Sequence, residues 1–172
     1  MQAAEAVRSE SVAGLQGMQG LEGKYLTFAL GKEEYGIGIL KVREIIGLME
    51  ITAVPHTPTY IKGVINLRGR VIPVLDLRLK FDMASEEYTE RTCIIVVEVQ
   101  VESGAIQIGM LVDSVSEVLN ISGQEIEPPP AFGGSTDTTY ILGMAKIKGE
   151  VKILLDVDQV IGTGELAHFE AI

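Results

Sequence analysis

The 172-residue chain has one cysteine, two histidines, no tryptophan, and aromatic residues at only 5%. A single thiol, Cys93, can close no intrachain disulfide and can supply no cysteine-rich metal site. It lies in the apolar run Cys93-Ile94-Ile95-Val96-Val97, so its expected role is that of a small buried hydrophobe. Neither His56 nor His168 has a second His or Cys at ligand spacing, and no metal or other cofactor is expected. No G-x-S-x-G elbow, phosphate-binding loop or dinucleotide fingerprint follows any apolar run, and Gly36-Ile-Gly38 is too short to serve as one. Glu33, Glu34, Glu86 and Glu87 fall in polar turns, where solvated charge is the expectation. An enzyme is therefore not expected. Cations are also in deficit: 14 Lys and Arg against 24 Asp and Glu give a formal net charge of −10, without a basic cluster, which excludes a nucleic-acid binder. No apolar stretch approaches the ~20 residues that span a bilayer. The first residues lack a charged region followed by an apolar run, so neither a signal peptide nor membrane insertion is expected. These absences point to a soluble cytoplasmic chain. The scarcity of aromatics argues against a groove for proline-rich peptides.

What is present is a series of short β-rich runs divided by Gly, Pro and polar clusters. Residues 1–22, rich in Ala, Gly, Gln, Glu and Ser, read as a flexible tail. After them, Tyr25–Leu30, Tyr35–Ile39, Val42–Ile46, Gly63–Leu67 and Val71–Leu75 read as strands. So do Thr92–Val101, Ala105–Val112, Val115–Ile121, Gly143–Ile147 and Val151–Leu155. Such spacing, with no long helical periodicity between, indicates an all-β barrel or sandwich. The tail of the chain, from Val157 to Ile172, reads as a helix interrupted near Gly162.

An internal repeat organises these runs. Residues 60–77 (YIKGVINLRGRVIPVLDL) align without gaps on residues 140–157 (YILGMAKIKGEVKILLDV). The shared residues are Tyr60/Tyr140, Ile61/Ile141, Gly63/Gly143, Gly69/Gly149, Val71/Val151, Leu75/Leu155 and Asp76/Asp156. Seven identities in eighteen far exceed the roughly one expected from composition. Upstream, Gly36, Val42 and Glu44 match Gly109, Val115 and Glu117 at a spacing shorter by seven residues, which pass into the proline-bearing loop Gln124–Thr139. Two sister five-stranded barrels are the simplest architecture, as intertwined subdomains at roughly 23–85 and 86–157 of one domain over 23–162, with a C-terminal helix or tail over 158–172. Gly69 and Gly149, each after a basic residue, are expected at positive φ in short hairpins. Asp76 and Asp156, at strand ends, are expected to cap short helices.

These residues also carry a family resemblance. Glu33-Glu-Tyr-Gly-Ile-Gly-Ile-Leu-Lys-Val-Arg-Glu-Ile45 resembles the first signature of the CheW family of bacterial chemotaxis adaptors. Pro58-Thr-Tyr-Ile-Lys-Gly-Val-Ile-Asn-Leu-Arg-Gly69, followed by Val71-Ile-Pro-Val-Leu-Asp-Leu-Arg78, resembles its strongest one. Gly109-Met-Leu-Val-Asp-Ser-Val-Ser-Glu-Val118 and the Pro128-Pro-Pro130 loop are weaker matches, and together they span about residues 24–162. The resemblance implies two SH3-like barrels sharing an apolar core, in a protein monomeric alone and built with kinase into ring-like arrays. Its implied partners are the regulatory domain of a CheA-type histidine kinase and the cytoplasmic tip of methyl-accepting chemoreceptors. It also places Arg68 and Glu44 on functionally sensitive positions, with Asn66 beside Arg68. Val42, Ile45, Val112 and Val115 are candidate apolar contacts, although core burial is the usual role of such residues. Two other readings stay open: a CheW-like scaffold of a related, non-flagellar chemosensory pathway, and a small-ligand-binding protein. A deep polar pocket between the barrels would favour the latter, and a closed apolar seam would count against it.

Overall fold

The computed structural model describes residues 20–101, 104–130 and 139–161. The strands are β1 (Gly23–Leu30), β2 (Glu33–Gly38), β3 (Val42–Gly47), β4 (Ile61–Leu67), β5 (Arg70–Asp76) and β6 (Cys93–Val101). Then come β7 (Gly104–Val112), β8 (Ser114–Ile121), β9 (Ile126–Glu127), β10 (Ile141–Ile147) and β11 (Glu150–Leu155). Every expected strand forms. The addition is β9, only two residues long, inside the proline-bearing loop and paired with β10. Helix α1 (Leu77–Lys80) follows β5, and residues 157–161, after β11, are helical. The remainder of the expected C-terminal helix, His168 included, and residues 1–19 of the expected tail lie outside the described residues. At the near end of that tail, Leu21 packs on Tyr25 and its neighbours and accepts the Tyr25 hydroxyl at 2.5 Å, so packing begins before Gly23.

The strands form two sheets, of six strands in the order β8-β1-β2-β11-β10-β9 and of five in the order β3-β6-β7-β5-β4. The strand order shows how the two halves of the chain interleave. The halves 23–85 and 86–157 do not each close their own five-stranded barrel. Instead, β1 and β2 leave the first half to complete the sheet of β8–β11, while β6 and β7 leave the second to complete the sheet of β3–β5. The exchange is reciprocal: each exchanged hairpin joins the other half through one antiparallel pairing, β1–β8 or β3–β6, and one parallel pairing. In one parallel pairing, Lys152–Leu155 runs beside Glu34–Ile37; in the other, Val74–Asp76 runs beside Gly109–Leu111. The physical reason is burial: exchanged hairpins place apolar residues from both halves in one core.

That core is continuous between the sheets. Phe28, Leu30 and Ile37 from one meet Leu75, Ile95, Val97 and Met110 from the other, with Leu155, Val157 and Ile161 joining them. Each sheet also closes a smaller core of its own, around Ile65, Ile72 and Val74 in one and Tyr25, Ile121 and Ile126 in the other. Strand β6 shows how sequence serves both. Its successive side chains point to opposite faces, so Ile94 and Val96 fill the five-stranded sheet's own core while Ile95 and Val97 fill the shared one. An uninterrupted apolar run is what a strand buried on both faces requires. Cys93, at the start of that run, is only half-buried, and its thiol donates to the Arg91 carbonyl at 3.2 Å.

Candidate functional site

Strands β4 and β5 are joined by a two-residue turn, since Leu67 pairs with Arg70. Both turn residues are left-handed, Arg68 at φ 53° and Gly69 at φ 87°, which is the type I′ hairpin whose twist matches that of the strands. The Asn66 side-chain oxygen accepts the Gly69 N–H at 2.8 Å. The turn lifts Arg68 out of the β4–β5 ladder, and its guanidinium reaches across to the Glu44 carboxylate on β3. Strands β3 and β4 are the outer strands of the five-stranded sheet, so this ion pair spans the opening between its edges. Deeper in the same opening, Thr52 and Val64 exchange two backbone hydrogen bonds of 2.8 Å each. The two residues singled out separately in the sequence thus meet. The Arg68 side chain remains 69% exposed and that of Glu44 31%, so the pair is open to exchange with a partner's charges.

The apolar candidates divide. Ile45, beside Glu44, is 43% exposed. Val42 and Val115 are half-buried against the shared core. Val112 is buried in that core and offers no surface, because β7 is paired along its length with β6 and its far end lies against β5. Sequence reasoning missed Leu40, which is 90% exposed between β2 and β3, and Val71 and Val151, exposed at repeat-related positions just after the two hairpin turns. The signal for Val71 was present: it alternates with buried Ile72, so it belongs to the outer face.

Asp76 is buried, and one carboxylate oxygen accepts the N–H groups of Arg78 (2.9 Å) and Leu79 (3.4 Å), capping α1. Its other oxygen accepts the Tyr88 hydroxyl at 3.0 Å, and burial, followed by this anionic neighbour, pushes the Tyr88 phenol up. Asp156 likewise accepts the N–H groups of Asp158 and Gln159. The two aspartates serve separate strand ends.

Ion pairs tie the exchanged strands in, among them Arg43 of β3 with Glu98 of β6 at 2.8 Å. Glu34, expected to be a solvated charge, instead accepts from buried Lys152 of β11 and from the Ser116 hydroxyl at 2.9 Å. A charge this deep needs a partner, and the parallel β2–β11 pairing supplies it. Asp113, between β7 and β8, receives Arg78 through two hydrogen bonds of 2.7 and 2.5 Å and the Gly31 N–H at 2.7 Å. Burial pushes the Asp113 carboxyl up, but the Arg78 and Gly31 hydrogen bonds outweigh it and hold the group below its usual range. Such a carboxylate stabilises the fold above its unfolded value, near pH 4, and the contribution is lost as pH falls through the lower folded value. Asp113→Asn is therefore expected to melt earlier than the parent at pH 7, with the gap closing as the pH falls below about 4. A gap that stays constant in melting curves down to pH 3 would show that the ionised pair is not its source.

Among the described residues no group of His, Cys, Asp or Glu is arranged to hold a metal ion, and no helix is long and apolar enough to cross a membrane. A cleft of about 150 Å³ lies beside Asp76, Arg78, Tyr88 and Asp113, and the described residues between the sheets form a buried apolar cluster.

Residues 24–165 match the CheW-like domain family. The chain belongs to that family. It is similar to the chemotaxis protein CheW of Klebsiella aerogenes, with 39% identity over 161 residues that cover 91% of this chain and 95% of the relative. Against CheW of Bacillus subtilis the identity is 34% over 135 residues, covering 78% and 83% of the two chains. The crystal structure of the scaffolding protein TtCheW from Thermoanaerobacter tengcongensis superposes with a TM-score of 0.73 at 34% identity, covering 84% of this chain and 96% of that one. The CheW-like fold accounts for the two sheets around a shared core, and both Arg68 and Glu44 lie within the matched span.

Proposed function

We propose that this chain is a chemotaxis adaptor that couples transmembrane chemoreceptors to a CheA-type histidine kinase, by binding both and performing no chemistry itself. The observation that carries the reading is the match of residues 24–165 to the CheW-like domain, alongside near-full-length similarity to chemotaxis proteins and to a scaffolding protein. The surface supports it: the exposed Arg68 guanidinium paired with Glu44 supplies charge for specificity, and Ile45 on β3 and Val71 on β5 are exposed apolar residues of the same sheet. The buried apolar cluster between the sheets counts against a polar small-ligand site there. In this reading the protein is monomeric alone, and is recruited to membrane receptor arrays with the kinase. The test is direct. Mixing the purified chain with a CheA-type kinase and a receptor cytoplasmic fragment is expected to give a ternary complex in size-exclusion chromatography, and binding to neither would overturn the reading.

A further inference from the structure

The two halves of the chain hold their sheets together through each other. The β1–β8, β2–β11, β3–β6 and β5–β7 pairings all join the first half to the second. Among the described residues, the first half by itself keeps only the hairpins β1–β2 and β4–β5 and the Thr52–Val64 bridge. The shared core and the Glu34–Lys152 and Arg78–Asp113 ion pairs cross the same divide. None of these contacts requires the two halves to belong to one chain. They do so through one covalent connection, residues 81–92, between α1 and β6.

The chain turns back at the start of that connection. Helix α1 stops after a single turn, and Asp82 beyond it is left-handed, at φ 58°. The Asp82 N–H donates to the Leu79 carbonyl at 3.1 Å, and the Met83 N–H donates to the Arg78 carbonyl at 2.8 Å. This is the Schellman pattern, which usually places glycine at the left-handed position because an L side chain is disfavoured there. The sequence that follows demands no stop. Residues 82–92 (DMASEEYTERT) hold neither glycine nor proline, and Met, Ala and Glu are good helix formers. They nonetheless lie outside any helix, and Ala84 to Arg91 are exposed. The Tyr88 hydroxyl on Asp76 at 3.0 Å and the Arg78 guanidinium on the Ala84 carbonyl at 3.3 Å hold the connection folded back.

We infer that Asp82 is a hinge, and that two copies of this chain exchange halves through it to form a dimer. With Asp82 right-handed, α1 continues into the connection and carries β6 away from its own first half. Each first half then takes up the second half of the other copy and remakes the same pairings and ion pairs. The partner is thereby fixed, since the surface left open on a first half is complementary to the β6–β11 half of this chain. The short connection favours the monomer, because it presents the second half at an effective concentration of about a millimolar. Exchange therefore needs concentrated refolding or a hinge biased toward its open form.

Position 82 supplies the test, because two substitutions push in opposite directions. Glycine accepts the left-handed conformation and alanine resists it. The full-length chain and both variants are unfolded in urea, refolded at about millimolar concentration, and weighed by size-exclusion chromatography with light scattering. Asp82→Ala is expected to raise the dimer-to-monomer ratio at least about fivefold over the parent, and Asp82→Gly to lower it by as much, the scale of one left-handed residue. Tyr88→Phe, which loosens the connection and leaves the hinge alone, is expected to shift the ratio in the direction of alanine. A specific protease site inserted between Glu86 and Glu87 then separates exchange from surface contact. Cutting an exchanged dimer leaves particles of one-chain mass, whereas a dimer of closed chains keeps its mass. Dimers that survive cutting, equal ratios for the alanine and glycine variants, or monomer alone throughout would overturn the inference. If Asp82→Ala does not refold, the comparison of the parent with Asp82→Gly decides, by the same fivefold fall.

Discussion

Gly63→Ala is expected to cost about 3–5 kcal/mol and to lower the melting temperature by on the order of 10 °C. Gly63 lies on β4 at φ 142°, and a β-carbon there would stand 2.0 Å from the Thr52 carbonyl oxygen and 2.9 Å from the Ala53 α-carbon. Those atoms are backbone and cannot swing aside. The Thr52 carbonyl is also fixed, because it accepts the Val64 N–H while Thr52 donates back. A methyl group at position 63 must therefore break the bridge that closes the five-stranded sheet or force β4 out of register. The internal control is Gly69→Ala. Its β-carbon would meet nothing within 4 Å, so only the left-handed backbone opposes it, at about 1 kcal/mol. Equal melting-temperature losses for the two variants would refute the close-approach argument. The same logic explains why the repeat keeps a glycine at position 143, whose β-carbon would stand 2.9 Å from the Glu127 carbonyl oxygen on β9.

Arg68→Glu is expected to weaken partner binding by about 30-fold or more, as loss of an arginine hot spot does, while leaving the melting curve nearly unchanged. The guanidinium is exposed and, among the described residues, bonded only to Glu44, so its loss opens no cavity and strands no buried charge. What changes is the sign of the charge beside Glu44, turning a balanced pair into two adjacent carboxylates. The reversed pair Arg68→Glu/Glu44→Arg distinguishes two origins of the loss. If the ion pair acts by holding the two edges of the sheet, the double variant recovers binding; if Arg68 contacts the partner, it does not. The second result is expected. A cooperative drop in melting for Arg68→Glu alone would mark the residue as structural and remove it from the docking surface.

Much of this architecture was legible in the sequence because strand burial leaves a pattern of period two and hairpins leave glycines. The run from Ile94 to Val97 announced a strand buried on both faces, and Arg68-Gly69 and Lys148-Gly149 announced tight turns. The exchange of strands was not legible. Identities such as Gly36/Gly109 show which strands are equivalent, but not whether a strand pairs within its own repeat or with the other. That choice rests on contacts such as Glu34–Lys152, 118 residues apart, which leave no local trace. Strand β9 escaped because two residues before a run of prolines carry no periodicity. At the candidate site, Arg68 and Glu44 were each readable, but their meeting depends on how nearly the five-stranded sheet closes. Of the four apolar candidates, for which the sequence favoured core burial, Val112 is the one fully in the core, a distinction that only the packing of the two sheets makes.

The exchanged hairpin also sets a timetable for synthesis. Strands β1 and β2 leave the ribosome first, yet β1 pairs with β8, where Thr27 bonds the Glu117 carbonyl 90 residues away, and β2 pairs with β11, among the last strands made. Until β8 has emerged the first hairpin has both outer edges unpaired, and its β2 edge stays open until β11 follows, the condition in which nascent strands join other chains. Contacts this distant in sequence slow folding, because a long loop must close before they form. Glu33, Glu34 and Lys32 at the tip of that hairpin keep its leading end charged during the wait, and Glu34 finds its permanent partner only when Lys152 arrives.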